Sequence, residues 1–144
     1  MPERLIGTII RNKNFVTAQS TATVGDAARL MKKHNVGALL VCDDQRLVGI
    51  FTERDALFRV TAEDRDPDKV LLADAMTPDP QTIDPGKSLG HALYMMYCGG
   101  FRHVPVVVDG QPAGMISARD ALGPDLKEFA AEMDQRDHIA EILG

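Results

Sequence analysis

Gly49-Ile50-Phe51-Thr52-Glu53-Arg54-Asp55 returns 65 residues later as Gly114-Met115-Ile116-Ser117-Ala118-Arg119-Asp120. Self-similarity at a fixed period marks a duplicated unit. Outward from these heptads the register runs without a gap from Thr17, facing Thr82, to Leu57, facing Leu122. Along it Gly25 faces Gly90, Ala27 faces Ala92, Met31 faces Met96, Val41 faces Val106 and Asp44 faces Asp109. The interior pattern is copied together with the identities, so the duplication does not depend on the two aspartates alone.

Each copy reads as β-α-β-β-α. In the first, an extended piece at 15–18 precedes Thr23, which caps a helix with Val24, Ala27, Ala28 and Met31 at i, i+3, i+4 and i+7 and with Asp26 three residues past the cap. Asn35, matched by Gly100, supplies a residue that takes the left-handed conformation at the helix C-terminus. Strands at 38–42 and 47–51 flank the turn Asp43-Asp44-Gln45, and a second helix opens near Thr52. The second copy has an extended piece at 81–83, a helix from Ser88 with Leu89, Ala92, Leu93 and Met96 inward, and strands at 103–108 and 112–116. The fold class is mixed α/β (α+β): tandem repeats packed as one pseudo-two-fold module plus a C-terminal helix. The expected divisions are 8–61 for the first repeat, 62–73 for a charged linker, 74–123 for the second repeat and 124–144 for an amphipathic helix. In that last segment Leu126, Phe129, Ala130, Met133, Ala140 and Leu143 form an apolar stripe that needs a partner surface.

Composition narrows the function. At 144 residues with 44% hydrophobic content the chain can build one shared core, whereas a unit of about 60 residues buries only ~60% of its unfolded surface and is marginal alone. A net charge of −5, no Trp and 5% aromatic residues disfavour polymeric nucleic acid. Cys42 and Cys98 are unmatched between the copies and have no CxxC spacing, so neither a disulfide framework nor a zinc site is indicated, and a reduced cytoplasmic protein is the plain expectation. The apolar stretch Leu5–Ile10 is too short for a signal core or a membrane span.

The chemistry concentrates where the second hairpin strand turns into the second helix. Gly49 and Gly114 permit close approach of another backbone or a ligand. Thr52 and Ser117 stand at a helix start, whose N–H groups suit an anion, and Asp55 and Asp120 follow one turn later with acceptors for a sugar diol. A purely structural account competes, because Thr-x-x-Asp and Ser-x-x-Asp also spell capping boxes. Arg54 and Arg119 weigh against capping alone, since a cation in the first helical turn opposes the helix dipole and an anion nearby would explain it in both copies. Blander readings serve elsewhere. His34 suits a helix C-terminus, Met31, Met95 and Met96 suit core packing, and Cys98 with His103 lacks an orienting third group for catalysis.

The doubled Gly-h-h-Thr/Ser-x-x-Asp corner (h, hydrophobic) on a β-α-β-β-α frame resembles the cystathionine β-synthase (CBS) domain pair, or Bateman module. Ala75-Met76-Thr77-Pro78 and Phe101-Arg102-His103-Val104-Pro105-Val106-Val107 are similar to phrases of that family, and the likeness runs from about Thr8 to Leu122. The resemblance implies a non-catalytic sensing module with no required cofactor and no metal. Its regulatory ligand would be an adenosine nucleotide (AMP, ADP, ATP) or a related adenosyl compound such as NADH or S-adenosylmethionine. It further implies that Asp55 and Asp120 hold ribose hydroxyls, that Thr52 and Ser117 contact ribose or phosphate, and that Thr17, Thr82, Ile83 and Pro105 line base pockets. Arg54, Arg119 and Met76 join the candidate ligand set, while Arg102 and His103 reach toward phosphates. A homodimer associating through helices and an unidentified regulated protein are the implied partners. The first copy departs from the pattern, with Ile10-Arg11-Asn12 facing Ala75-Met76-Thr77 and Gly37-Ala38 facing Arg102-His103, so unequal sites are expected. A dimeric protein-interaction module that works without a ligand is the alternative.

Overall fold

The structure, a computed structural model, describes residues 4–123 and 129–136. Two antiparallel hairpins form its frame. In the first, β2 (Ala38–Asp43) pairs with β3 (Arg46–Thr52), Leu40 opposite Ile50 and Val41 opposite Gly49. In the second, β5 (His103–Val108) pairs with β6 (Gln111–Ser117), Val106 opposite Gly114. Both carry a register shift at the same place, between Val41 and Cys42 and between Val106 and Val107. Both close on two residues of positive φ, Asp44 and Gln45 in one and Asp109 and Gly110 in the other. Such a turn twists in the same sense as the strands it joins, which is why Asp, Asn and Gly gather there.

Core helices α2 (Val24–His34) and α5 (Leu89–Gly99) cover the hairpins. Thr23 Oγ1 accepts from Asp26 N and Ser88 Oγ from His91 N, and the helices end on left-handed Asn35 and Gly100 as the sequence predicts. The extended piece before the first helix reduces to β1 (Thr17–Ala18), parallel to β2. Its counterpart is a single bridge from Ile83 to Val106.

The segment that precedes each repeat completes the other. The N-terminal helix α1 (Ile6–Ile10) places Ile6 among Ile83, Leu89, Ala92, Val104, Val106 and Ile116 of the second repeat. The short helix α4 (Leu72–Ala75) places Leu72 and Ala75 among Val24, Met31, Leu39, Val41, Phe51 and Val60 of the first. Thr23 bridges to Leu71 and Ser88 to Leu5, so the exchange is pinned symmetrically at the two helix caps. The two glycines of the repeated heptad exist for this crossing. A Cβ on Gly114 would lie 2.7 Å from Ile10 Cγ2, and one on Gly49 would strike Met76 and approach Thr77 O to 3.0 Å. After α4 the chain adds β4 (Thr77–Pro78) to the edge of β3, a strand that sequence periodicity did not reveal.

The halves meet along β3 and β6. Ala38, Leu40, Ile50 and Met115 form a seam cluster, and Leu47 N donates to Gly110 O at 3.1 Å. The second helices are irregular, the first opening at Thr52 as expected. The helix α3 (Glu53–Asp55) passes into a π-helical stretch at Ala56–Thr61, and the second copy makes only a 3-10 turn at Ala118–Ala121. Of the expected linker 62–73, residues 62–69 are exposed, with Pro67 O accepting from Gly25 N and Asp68 paired with Arg29, whereas Val70 and Leu72 are buried in the first core because the chain there already enters α4. Residues 129–136 are helical with Phe129 and Met133 exposed, whereas Leu126, Ala140 and Leu143 of the proposed stripe lie outside the described residues.

Candidate functional site

Thr52 ends β3 in extended conformation, and its Oγ1 accepts from Asp55 N at 3.1 Å while Asp55 Oδ2 accepts from Thr52 N at 3.0 Å. Both halves of a capping box are therefore made. Glu53 N donates to Gly37 O, and Ala118 N donates to Arg102 O in the second copy. The helix-start N–H groups expected to suit an anion are thus largely spent within the protein, Glu53 N on Gly37 O and Asp55 N on Thr52 Oγ1.

Asp55 is the buried ionisable side chain among the described residues. Besides Thr52, its carboxylate accepts from Thr77 Oγ1 at 3.2 Å and faces Arg59 Nε at 3.4 Å. A carboxylate has about four lone-pair positions, so a ligand hydroxyl must replace one of these donors. Arg59 is the most exchangeable, being half exposed and also bonded to Met76 O at 2.9 Å. The π-helical stretch carries Arg59 to that place; sequence inspection missed this residue, and its i+4 spacing from Asp55 was the signal that could have found it.

Asp55 opens onto a cleft of about 810 Å³ between the repeats. Its first side is the β3–α3 corner with Ile50, Thr52, Glu53, Arg54 and Phe58, and its second is the end of α5 and the start of β5 with Phe101, Arg102 and His103. Thr77, Pro80 and Gln81 close it from the crossing segment. Arg54 sits 5.2 Å over the Phe58 ring. Among the described residues neither Arg54 nor Arg102 is paired with a carboxylate.

The remaining candidates fall elsewhere. Ile83 and Pro105 are buried in the second repeat, where Ile83 N donates to Pro105 O, and they do not line this cleft. Thr82, next to Ile83 on an extended segment, is exposed, as alternation of side chains requires. Thr17 borders a separate hollow of about 370 Å³ with Phe15, Cys42 and Gln111. Met76 packs on the first core, and Arg119 is exposed beside the second corner.

That second corner has a different chemistry. Asp120 Oδ2 accepts from Ser117 N at 2.7 Å, from Ser117 Oγ at 3.3 Å and from Lys13 Nζ at 2.7 Å. Lys13, which sequence reasoning passed over, comes from 107 residues away and also donates to Met115 O. Between the corners lies His103. Burial, then Lys13 and Arg102, push its pKa below the usual 6.5, against the opposing pull of Glu53 and Asp120. The unfolded chain therefore binds the proton more readily, and this group's effect on stability is absent above about pH 6.5 and grows as pH falls through that value toward the lowered folded pKa. We expect the urea midpoint of the wild type to drop between pH 7.5 and 5.5, and His103→Gln to show a smaller drop; equal drops would assign the loss to other groups.

A doubled β-α-β-β-α frame with crossed entry segments and a cleft between its halves defines a tandem-repeat module. The CBS domain family pattern matches residues 6–62 and 72–124, and the chain belongs to that family. It is 34% identical over 118 residues to the mitochondrial CBS domain-containing protein CBSX3 of Arabidopsis thaliana, covering 78% of this chain and 57% of that protein. It is 33% identical over 104 residues to the CBS domain-containing protein YhcV of Bacillus subtilis, covering 72% and 74%. Among solved structures, a hexameric CBS-CP12 protein from bloom-forming cyanobacteria superposes with a TM-score of 0.76 at 26% identity, covering 85% of this chain and 68% of that one. The chain spans 57% and 60% of the length of the Arabidopsis relative and an archaeal one from Methanopyrus kandleri, which is under two thirds in each case. Among the described residues no helix is long and apolar enough to cross a membrane.

Proposed function

We propose that this CBS pair senses an adenosine nucleotide bound in the large cleft and passes the signal to a partner protein through its surface. The observation that carries the reading is the cleft's inventory. A buried carboxylate, Asp55, lines the cleft and has acceptors for a sugar diol; Arg54 and Arg102, without a carboxylate partner among the described residues, suit phosphates; and Ile50, Phe58, Pro80 and Phe101 offer apolar walls for a base. The volume lies within the usual range of about 300–1,000 Å³ for small-molecule sites. Because the walls come from both repeats, a bound ligand bridges them and shifts their relative orientation only as far as its affinities for the two arrangements differ.

Thermal unfolding with and without AMP, ADP, ATP, NADH and S-adenosylmethionine tests the reading. A true ligand at 100 times its Kd stabilises by about 2.7 kcal/mol, a rise of several degrees for a chain of this size. A flat response to all five compounds would defeat it.

A second reading, a dimeric interaction module that needs no ligand, is favoured by Tyr94 and Tyr97, which are 70% and 86% exposed on α5, and by exposed Leu57 and Phe58. Mass measurement in solution separates the two, because this reading requires self-association that nucleotide leaves unchanged.

A further inference from the structure

The two corners are copies in sequence, yet among the described residues the large cleft is lined by Asp55 and not by Asp120. The 65-residue register identifies what fills the other. Ile50 and Asp55 both line the large cleft, and their counterparts are Met115 and Asp120. Lys13 Nζ bonds to both counterparts, to Met115 O at 3.1 Å and to Asp120 Oδ2 at 2.7 Å. The ammonium is thus held by the counterparts of two residues that line the large cleft.

The counterpart of Lys13 is Pro78, whose strand β4 lies flat on β3. In the first corner Asp55 meets the Thr77 hydroxyl at 3.2 Å and, at a longer 3.4 Å, the half-exposed Arg59, which keeps its bond to Met76 O when a sugar hydroxyl takes its place. In the second corner a ligand would have to expel an ammonium held at 2.7 Å by Asp120 and at 3.1 Å by Met115 O, two groups of the corner itself. Charge-assisted hydrogen bonds of this kind are roughly twice as strong as neutral ones. A diol displaces the long Arg59 contact more readily than this short one.

We propose that Lys13 is a tethered plug that shuts the Asp120 corner and leaves the chain one nucleotide site instead of two, an inference that rests on the nucleotide reading of the Asp55 cleft. The same contact ties the N-terminal segment across to β6 and supplies positive charge near His103.

Calorimetric titration with ATP and with AMP reads the stoichiometry. Wild type should bind one nucleotide per chain, Lys13→Met two, Lys13→Arg one, and Lys13→Met with Asp120→Asn one again. Lys13 is one-third exposed, and urea unfolding of each variant verifies that it folds. Two sites in the wild type, or one site in folded Lys13→Met, would overturn the plug; so would loss of all binding in that variant, which would make Lys13 a ligand contact. If the wild type binds nothing and Lys13→Met binds one equivalent, the plug stands and the Asp55 reading fails. No binding in either defeats both.

Discussion

Leu72→Ala and Ile6→Ala each lower the stability of the module by about 2–5 kcal/mol, the range for truncating a fully buried aliphatic side chain. At roughly 3–4 °C per kcal/mol for a chain of this size, the Tm falls by about 6–20 °C. Both residues are 0% exposed, and both sit in the segment that leads into the opposite repeat. Leu72 fills the space under Phe51, held by Leu72 N donating to Ala22 O at 2.8 Å, and Ile6 fills the matching space under Ile116, held by Ile6 N donating to Lys87 O at 2.9 Å. The adjacent Leu71 and Leu5 are partly exposed and serve as controls, since their truncation removes less buried area. Urea denaturation of the four variants decides the matter. If Leu72→Ala costs no more than Leu71→Ala, the crossed packing does not hold the repeats together. Because the cores are separate clusters, the Leu72 and Ile6 losses should add within about 0.5 kcal/mol; a larger coupling would mean that the seam of Leu40, Ile50 and Met115 transmits strain from one core to the other.

What the sequence reveals of this fold is what is local or repeated. The caps at Thr23 and Ser88, the left-handed ends at Asn35 and Gly100 and the hairpin turns each depend on three or four neighbouring residues, so their chemistry stands in the text of the chain. The heptads are legible because they occur twice. Harder to read are features made by residues far apart. Nothing near Lys13 announces that its ammonium meets Asp120 across 107 positions, and nothing in Ala75-Met76 tells that the segment closes the first repeat's core instead of its own. The candidate site divides on the same line. Thr52, Arg54 and Asp55 fall together because they are adjacent on one corner, and Arg102 and His103 reach the same cleft because the seam apposes the hairpins. Ile83 and Pro105 enter the core because alternation along an extended segment turns Ile83 inward while Thr82 faces out.

Asp55 carries both the fold of its corner and the proposed recognition of a ribose, so its variants must separate the two roles. Asp55→Ala leaves Thr52 N without its acceptor and frees Thr77 Oγ1 and Arg59, costing about 1–3 kcal/mol as a lost cap with an unpaired, partly buried donor. It also abolishes stabilisation by nucleotide. Asp55→Asn retains a carbonyl oxygen for Thr52 N but no longer attracts Arg59 and offers a diol one acceptor atom instead of two. Its fold should be nearly intact, while affinity for nucleotide falls at least tenfold, the equivalent of losing one or two hydrogen bonds to a charged group at about 1.5–3 kcal/mol each. Arg102→Ala supplies the complementary signature. An exposed guanidinium acting on phosphates should weaken ATP more than AMP and AMP more than adenosine, and raised salt should narrow those differences. Equal losses for all three ligands would move Arg102 from the phosphates to the base or sugar. Should Asp55→Asn bind as tightly as the wild type, the carboxylate serves the cap alone, and the sugar, if held at all, is held elsewhere in the cleft.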